Sequence, residues 1–366
     1  MTRPDDAPAE LAVLLTPRLP GGHETALLGW LADAARRFAL RLLVVAPNAE
    51  IAAACRRNGL PRHELSPLVP RWHLLRELLH WGARRPLLLA PGVLHAGAWL
   101  LVAALLLRRR VWVYVPMSYS AAFMGYRGGR WRDRLLAPWL RSVEGWVTID
   151  DTQARGLVDR WRIAAPVFAL PNLARLAGPP PPPPAPAADG RLRVAFVGRF
   201  DPPMKGLDWL AGVLRGGAPW TTACRWLFQG RGPGRRLLLE LAAELGPARV
   251  ELRDHRPIAD ALADSDVLLL VSRYEGLPLV VLEATALGWP VVASRSCNVA
   301  HLLPPASSFD FGDASGPARS LQSLREPAAR AAAVAHARAR LAADEARYDG
   351  ALDAVVDALR RPRGGR

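Results

Sequence analysis

The chain has 366 residues, of which 51% are hydrophobic and 22% are charged, and its net charge is +15. This composition excludes a disordered or collagen-like protein, and the length predicts two domains rather than one. The charge would suit nucleic acid, anionic lipid or a phosphorylated ligand. Only Lys205 is lysine among the 48 basic residues, so a coding bias toward arginine accounts for the charge without a nucleic-acid partner.

Each half of the chain alternates short apolar runs with longer helical patterns, which indicates βαβ units and parallel sheets. The first half contains predicted strands at Leu11–Thr16, Arg41–Ala46, Pro86–Ala90, Val111–Val115, Gly145–Ile149 and Val167–Leu170, with a turn at Pro17–Gly22 and a helix at His23–Phe38. The second half contains predicted strands at Leu192–Val197, Arg225–Gln229, Val250–Leu252, Val267–Val271 and Pro290–Ser294, and a helical tail from Pro317 to Arg360. Between the halves, the prolines of Gly178–Gly190 predict an extended linker.

The cysteines and the apolar runs indicate the cellular compartment in which the protein is expected. Cys55, Cys224 and Cys297 lie far apart without CxxC spacing, which argues against a zinc site and favours a reducing environment. Residues 1–10 lack the pattern of a signal peptide. The apolar run Ala96–Leu107 is shorter than the roughly 20 residues that span a bilayer. We therefore expect a cytoplasmic protein that could also bind peripherally at the inner face of the cell membrane.

In doubly wound folds, ligands bind beyond the carboxyl ends of the strands, and the segment Ser272–Ala284 lies at such an end. Gly276 and Pro278 break the chain there, and a helix is predicted to begin near Leu279. The free amides from Gly276 to Val280, together with the helix dipole, would attract a phosphate.

Two glutamates of this segment lie eight residues apart. Glu275 is predicted in the loop and Glu283 one turn inside the helix. Because Val280–Leu282 and Ala284 flank Glu283, an unpaired carboxylate there would be costly. A ligand hydroxyl is therefore favoured as its partner over a solvated salt bridge.

A second segment, Phe196–Gly206, also follows a predicted strand. Arg199 and Lys205 lie six residues apart in it, across a turn with two prolines. Such a loop can present two cations to one diphosphate, and charged donors form the stronger hydrogen bonds to phosphate. The retention of a single lysine favours a functional role for Lys205 over that of a surface cation.

These two segments, in this order and at strand ends, resemble glycosyltransferase family 4, a large retaining group with the GT-B fold. Shorter matches extend the resemblance along the chain; they are Gly21-Gly22-His23-Glu24, Pro171-Asn172 and Gly230-Arg231-Gly232-Pro233. The fold prediction is therefore α/β, with two Rossmann-like doubly wound domains facing a cleft. The predicted parts are an acceptor-side domain at residues 1–177, a linker at 178–190, a nucleotide-sugar-binding domain at 191–345, and a C-terminal helix and basic tail at 346–366 that could pack back on the first domain.

The resemblance also implies residue roles. Arg199 and Lys205 would hold the donor diphosphate and stabilise its charge as it leaves, Glu275 would contact the transferred sugar, and Glu283 would bind the ribose. The further donor-binding positions that it implies are Gly21, Gly22, Gly198, Gly230, Gly276 and Leu277. No cofactor or metal is expected, because cationic side chains and a helix N-terminus perform the electrostatic task.

One departure concerns a histidine that the family often carries after an N-terminal strand. The equivalent stretch, Val113–Ser118, has none. His23 and His95 are conceivable substitutes, although packing or capping is favoured for each. The gap leaves open a catalytically weak scaffold subunit as an alternative.

Three other patterns have competing interpretations. Asp264-Ser265-Asp266 has the DxD spacing of a metal–nucleotide site, but its predicted place at a helix end favours a structural role, and Asp150-Asp151 predicts an N-cap for the helix near Thr152. The basic, aromatic stretches Tyr126–Trp139 and Arg71–Arg85 could face an acidic or lipid-linked acceptor or an anionic membrane, or could be amphipathic helices packed on their own sheet.

We predict a retaining, metal-independent hexosyltransferase that transfers a sugar from a nucleoside diphosphate sugar to a hydroxyl of a glycan or lipid-linked acceptor. A nucleic-acid-binding protein is the alternative that the charge suggests. The sequence shows neither zinc-finger spacing nor an RNA-binding aromatic signature. A nucleotide-sugar epimerase of similar fold is a third, less favoured alternative.

Overall fold

The structure is a computed structural model that describes residues 9–15, 21–37, 40–46, 49–60, 62–64, 75, 78–79, 85–176, 178–182, 184 and 187–361. The predicted ends at Thr16 and Phe38, most of the turn Pro17–Gly22 and most of the stretch Arg71–Arg85 lie outside these residues. The chain divides into an N-terminal unit, Met1–Asn172 with Arg347–Arg366, and a C-terminal unit, Leu173–Ala346.

In the N-terminal unit, the described residues form a seven-stranded sheet with the order β3-β2-β1-β4-β5-β6-β7, and every pair is parallel. The strands are β1 (Ala9–Leu15), β2 (Leu40–Ala46), β3 (Arg62–Glu64), β4 (Pro86–Ala90), β5 (Arg110–Tyr114), β6 (Gly145–Thr148) and β7 (Val167–Ala169). The helices are α1 (Gly22–Arg37), α2 (Ala49–Arg57), α3 (Ala98–Leu106), α4 (Gly129–Arg141) and α5 (Asp151–Arg155), which a π-helical turn at Gly156–Arg160 continues. The Asp150 carboxylate caps α5 by accepting from the Gln153 amide at 2.8 Å, as predicted.

The C-terminal unit has a six-stranded sheet with the order β10-β9-β8-β11-β12-β13 among its described residues, again parallel throughout. The strands are β8 (Leu192–Arg199), β9 (Cys224–Arg231), β10 (Val250–Arg253), β11 (Val267–Leu270), β12 (Val291–Ser294) and β13 (Ser308–Phe309). The helices are α6 (Pro202–Lys205), α7 (Leu207–Arg215), α8 (Pro219–Thr222), α9 (Arg235–Leu245), α10 (Ile258–Ala263), α11 (Leu279–Leu287), α12 (Ser315–Ser323) and α13 (Pro327–Arg360), whose last part belongs to the N-terminal unit.

Hydrophobic periodicity explains these elements. Helix α7 buries Leu207, Leu210, Ala211 and Leu214, at the spacing that places one face of a helix against a sheet. All four residues of β11 are buried, as expected for a strand covered on both faces. The two α/β domains with parallel sheets confirm the predicted fold class.

The tail predicted to be helical from Pro317 to Arg360 is helical in the structure, but it consists of two helices. Helix α12 ends at Ser323 and α13 starts at Pro327. Proline lacks the amide hydrogen that a continuing helix needs, and it disfavours the helical conformation of the residue before it. In the part of the chain that the structure describes, no helix combines the length and apolar character needed to cross a bilayer.

Candidate active site

The two segments with predicted chemistry follow neighbouring strands. Strands β8 and β11 pair directly, and the chain winds outward from them in opposite directions. This is the topological switch point of a doubly wound sheet, where the loops diverge and leave a crevice for a ligand. The loops after β8 and β11 therefore begin side by side, at the carboxyl edge of the C-terminal unit.

The loop after β8 folds into the short helix α6. The Asp201 carboxylate accepts from the Met204 amide at 3.2 Å, and Pro202–Pro203 occupy the first two positions, where a missing amide hydrogen costs nothing. Helix α6 ends at Lys205, and Gly206 follows with a φ of 67°. A Cβ atom on Gly206 would lie 2.1 Å from the Val271 carbonyl oxygen, so this residue also permits the close approach of the loop to the end of β11.

We expect Gly206→Ala to destabilise the C-terminal unit by about 2–5 kcal/mol, since a left-handed residue with a side chain costs about 1–2 kcal/mol and a forced core contact about 1–3 kcal/mol. Thermal unfolding should then shift downward by roughly 5–15 °C. Gly212→Ala is the matched control, because Gly212 lies in helix α7 with open space around its Cβ position. Equal melting temperatures for the two variants would contradict the tight contact at Gly206.

An ion pair joins the two loops. The Lys205 ammonium nitrogen donates to Oε1 of Glu275, 70 residues further along the chain. Their side chains are only 12% and 7% exposed. The Ser272 hydroxyl donates to the same carboxylate oxygen at 2.9 Å. The structure thus brings together two of the predicted catalytic residues, whose roles stay predictions.

Arg273 fastens the two loops to each other, a role that the sequence did not suggest. Its amide donates to the Met204 carbonyl at 2.8 Å, and its guanidinium donates to the Pro202–Pro203 carbonyls at 3.1 and 2.8 Å. The guanidinium also binds both carboxylate oxygens of Asp208 at 2.7 Å and lies 4.9 Å from the centre of the Phe311 ring. The hydrogen bonds from the Arg273 guanidinium hold the pKa of the Asp208 carboxyl group below its usual range.

Residues after β12 form hydrogen bonds with the backbone of the Glu275 loop. The Ser296 hydroxyl donates to the Ser272 carbonyl at 2.6 Å, and the Ser296 carbonyl accepts from the Glu275 amide at 3.1 Å. The Asn298 side-chain amide donates to the Gly276 carbonyl. Both ends of the loop are therefore held by hydrogen bonds, which limits the positions that the Glu275 carboxylate can take.

Helix α11 starts directly after this loop with Pro278 as its N-cap, and no side chain caps it. Its first amides therefore keep the capacity to bind an anion. Gly276 and Leu277, both predicted to bind the donor, lie in the buried turn just before it. At the other end of the helix, the Arg338 guanidinium donates to the Thr285 and Ala286 carbonyls at 3.2 and 2.9 Å.

Glu283 lies one turn inside α11 and is partly buried. Burial raises the pKa of its carboxyl group to about 7. Within the described residues it has no hydrogen bond or ion pair. A hydroxyl-bearing ligand would therefore supply the partner that the protein does not provide.

At the carboxyl ends of β8 and β9, paired glycines leave the backbone without side chains. Gly198 pairs with Gly230 in the sheet, and a Cβ atom on Gly230, whose φ is 154°, would lie 1.9 Å from the Gly198 carbonyl oxygen. Arg199 follows, exposed, with its guanidinium 4.0 Å from the Met204 sulfur. It pairs with no carboxylate among the described residues, so it contributes an uncompensated positive charge next to the Lys205 loop.

The glycine-rich loop lies in the N-terminal unit. The Gly21 amide donates to the Glu24 carboxylate at 2.6 Å, as in a helix capping box, so this amide is already occupied. Gly22 is exposed at the first position of α1. The imidazole of His23 stacks on Tyr114 with its centroid 5.1 Å away, and both of its nitrogens are buried. Burial lowers the pKa of His23 and raises that of Tyr114.

His95 also lies in the N-terminal unit, in the loop after β4. Its Nε2 atom is 3.1 Å from the Asp133 carboxylate, which accepts from the Ala121 and Ala122 amides at 2.8 and 3.1 Å. Burial lowers the pKa of His95, against the opposing effect of Asp133. This environment fits the packing role that the sequence favoured.

The acidic residues of the DxD pattern are paired with arginines. Asp264 binds Arg253 at 2.6 Å, and Asp266 binds Arg193 at 2.8 Å. In the described portion of the chain, no group of three or more histidine, cysteine or acidic side chains is arranged to hold a metal ion. Asp264 and Asp266 thus hold the ends of strands and helices together.

Comparison with known proteins gives matches of two kinds. Residues 191–321 match the family described as "Glycosyl transferases group 1". A phosphatidyl-myo-inositol mannosyltransferase of Mycobacterium leprae (strain TN) is 29% identical over 208 residues, which cover 49% of this chain and 51% of that protein. The match therefore spans about half the length of this relative.

Solved structures share the fold along nearly the whole chain. HepE of Anabaena, in complex with UDP and glucose, aligns with a TM-score of 0.73 at 15% identity, covering 96% of this chain and 99% of that one. Sucrose-phosphate synthase of Thermosynechococcus elongatus aligns with a TM-score of 0.66 at 17% identity, covering 96% and 98%. Together with the family match, these similarities support a glycosyltransferase with the GT-B fold.

Proposed function

We propose that this protein is a retaining glycosyltransferase that transfers a hexosyl unit from a nucleoside diphosphate sugar to a hydroxyl group of a glycan or lipid-linked acceptor. The observation that carries the proposal is the buried Lys205–Glu275 ion pair beside the uncapped start of α11, at the switch point of the sheet. The names of the relatives support the choice of donor, because HepE was solved with UDP and glucose and the M. leprae protein is a mannosyltransferase.

The site suits a diphosphate electrostatically. The ammonium group of Lys205 has three donors, and Glu275 takes one of them, which leaves others for phosphate oxygens. Arg199, which pairs with no carboxylate in the described part of the chain, adds a second cation, and the first amides of α11 add the positive end of a helix dipole. Charge that develops on the leaving diphosphate is thereby met by groups that are already oriented, which is the usual basis of such catalysis. We propose that these groups replace a metal ion.

Glu275 and Glu283 complete the proposed donor site. Held by Lys205 and Ser272, the Glu275 carboxylate has a fixed position from which it would contact the transferred sugar. Glu283, without a partner in the described residues, would accept hydrogen bonds from the ribose hydroxyls. Gly198 and Gly230 would let the backbone approach the donor, because a side chain at Gly230 has no room.

A thermal-shift screen with UDP, GDP, ADP and their sugars tests the proposal. A donor at about 100 times its Kd stabilises the fold by about 2.7 kcal/mol, which corresponds to a rise in melting temperature of roughly 5–11 °C. Absence of a shift with every nucleotide would overturn the donor assignment. Binding without release of a nucleoside diphosphate in the presence of acceptors would instead favour the scaffold alternative, and the anomeric configuration of the product, read by NMR, tests retention.

We expect the affinity for the nucleoside diphosphate sugar to rise with pH and to level off above about pH 7. The Glu283 carboxyl group, whose pKa burial raises to about 7, is an acceptor at both oxygens only after it loses its proton, and the carboxylate is also the stronger acceptor. The Kd should therefore increase about tenfold for each pH unit below that value. The sugar-linked diphosphate is a suitable probe, because it lacks the terminal phosphate that titrates near pH 6.

The control for this prediction is Glu283→Gln, which should bind more weakly at high pH and lose the pH dependence. Without ligand, the raised pKa means that the folded protein binds this proton more tightly than the unfolded chain does. The free energy of unfolding should thus fall as pH rises from 4.5 to about 7, and Glu283→Gln should remove that slope. An unchanged pH profile of donor affinity in the variant would contradict the ribose assignment.

A further inference from the structure

Helix α4 of the N-terminal unit has two apolar faces. Its inner face buries Leu136 and Leu140 in the core. Its outer face exposes Trp131 and Leu135, which are 69% and 73% accessible to solvent. At 100° per residue, Trp131 and Leu135 lie within about 40° of each other and nearly opposite Leu140. The fold uses only the inner face, so the outer one is left without a partner among the described residues.

The loop before α4 exposes two further aromatic side chains. Phe123 is 55% exposed and Tyr126 is 42% exposed. The ring of Tyr126 lies 5.9 Å from the guanidinium of Arg132, which places it beside the first turn of α4. We refer to Phe123, Tyr126, Trp131 and Leu135 together as the aromatic patch. Exposed aromatic residues grouped in this way mark interaction sites more often than isolated ones do.

Arginines surround the aromatic patch without neutralisation. Arg127, Arg130, Arg132 and Arg134 are exposed, and none pairs with a carboxylate among the described residues. The single acidic residue between Tyr119 and Arg141 is Asp133, which points inward to the Ala121 and Ala122 amides and to His95. The outer surface of this segment is therefore both apolar and strongly positive.

The position of the patch in the sheet topology relates it to the function. The loop that carries Phe123 and Tyr126 follows β5, so it lies at the carboxyl edge of the N-terminal sheet. Helix α4 starts from that edge and returns toward the start of β6. Ligands of doubly wound domains bind at this edge. A partner bound to this part of the unit would therefore lie on the same side as a ligand.

We propose that the aromatic patch and its four arginines dock this protein on the surface of an anionic phospholipid bilayer. Trp131 and Leu135 would enter the boundary between headgroups and acyl chains, as the apolar face of an interfacial helix does. Tyr126 suits the headgroup level, where aromatic rings with a polar end collect. The arginines would bind lipid phosphates, and each one near an anionic surface raises the partition constant roughly fivefold. A folded protein partner would need a matching apolar and acidic surface, whereas the bilayer supplies both properties at once.

Vesicle flotation tests this proposal with the full-length protein. Vesicles of phosphatidylcholine alone are compared with vesicles that contain about 30% phosphatidylglycerol, at low and high salt, since screening shortens the reach of surface charges. We expect binding to the anionic vesicles only, weakened by salt. Arg130→Gln with Arg134→Gln should lower the partition constant by roughly 25-fold. Trp131→Ser with Leu135→Ser should lower it at least tenfold at both salt concentrations, because apolar insertion is not screened.

A matched control exists in the C-terminal unit. Arg236→Gln with Leu239→Ser replaces one arginine and one leucine in the same way, at exposed positions of helix α9, and should leave vesicle binding unchanged. All variants should keep the wild-type melting temperature, because the changed side chains contact solvent rather than the core. Membrane docking goes beyond the proposed transferase activity. Vesicle binding is measured without any transferase assay, so either proposal can be overturned while the other stands.

Three results would overturn the proposal. The first is wild-type binding that does not distinguish anionic from neutral vesicles, and the second is patch variants that bind like the wild type. The third is a wild-type dimer that the Trp131→Ser, Leu135→Ser variant converts to a monomer, with no vesicle binding by either; the patch would then be an interface between copies of this chain.

Discussion

Replacing Lys205 with alanine should lower kcat/KM by about 10²–10³-fold, the loss typical of removing one preorganised donor to developing negative charge. The variant removes the ammonium group that would bind the leaving diphosphate. It also leaves the Glu275 carboxylate, whose side chain is only 7% exposed, without its cation. The measurement is release of nucleoside diphosphate at several donor concentrations, and a larger effect on kcat than on KM would assign the lysine to the transition state.

The effects of Lys205 on stability and on catalysis can be separated by a second substitution at its partner, Glu275. Adding Glu275→Gln to Lys205→Ala removes the uncompensated buried charge, so the double variant should regain melting temperature but not activity. Arg215→Ala is the control for loss of a cation, because Arg215 forms an exposed ion pair with Glu244 and such pairs contribute about 0–1 kcal/mol. Wild-type turnover in Lys205→Ala, or activity restored along with stability in the double variant, would contradict a catalytic role for the lysine.

Arg273→Ala should lower kcat/KM by about 10²-fold although Arg273 need not touch the substrate. Its guanidinium holds Asp208 and the Pro202–Pro203 carbonyls, and so fixes the loop that ends in Lys205. A displacement of about 1 Å in a positioning element can cost about 10²-fold in rate. The effect should appear mainly in kcat, because a displaced ammonium would still attract the diphosphate but from a poorer position.

A double-mutant cycle with Asp208→Asn tests this positioning role. If Arg273 acts through Asp208, the two substitutions should be clearly non-additive, with the double variant close to Arg273→Ala alone. Arg253→Ala is the matched control, because Arg253 binds two carboxylates, Glu251 and Asp264, away from the Lys205 loop. Strictly additive effects, or an equal loss of activity in Arg253→Ala, would show that Arg273 does not position the loop.

The order of strand, loop and helix around the candidate site was readable from the chain. Apolar runs such as Val267–Val271 and the breakers Gly276 and Pro278 predict a strand, a loop and a helix, and the structure has them in that order. The short strands β3 and β13 were not predicted, because β3 consists of the polar residues Arg62–Glu64 and β13 has only two residues. The fold class is confirmed, whereas the assignment to glycosyltransferase family 4 and the roles of individual residues stay predictions.

Hydrogen bonds between distant residues could not be predicted in this way. Arg273 was visible inside the motif around Glu275, but no pattern links it to Asp208, 65 residues earlier. Gly21 was predicted only as a donor-binding position, and its amide donates to the Glu24 carboxylate. Gly21 stands where a capping-box sequence has serine or threonine, so the sequence did not indicate the contact with Glu24. Both contacts depend on side-chain direction, which the order of residues alone does not specify.

By itself, the sequence determined the alternation of strands and helices, the positions where loops follow strands, and the residue types that those loops carry, because periodicity and chain-breaking residues act locally. Only the tertiary structure decided that β8 and β11 are neighbours, that Lys205 meets Glu275, and that Trp131 faces outward. The physical reason is that strand order and side-chain burial follow from packing the whole core at once, and no local segment contains that information.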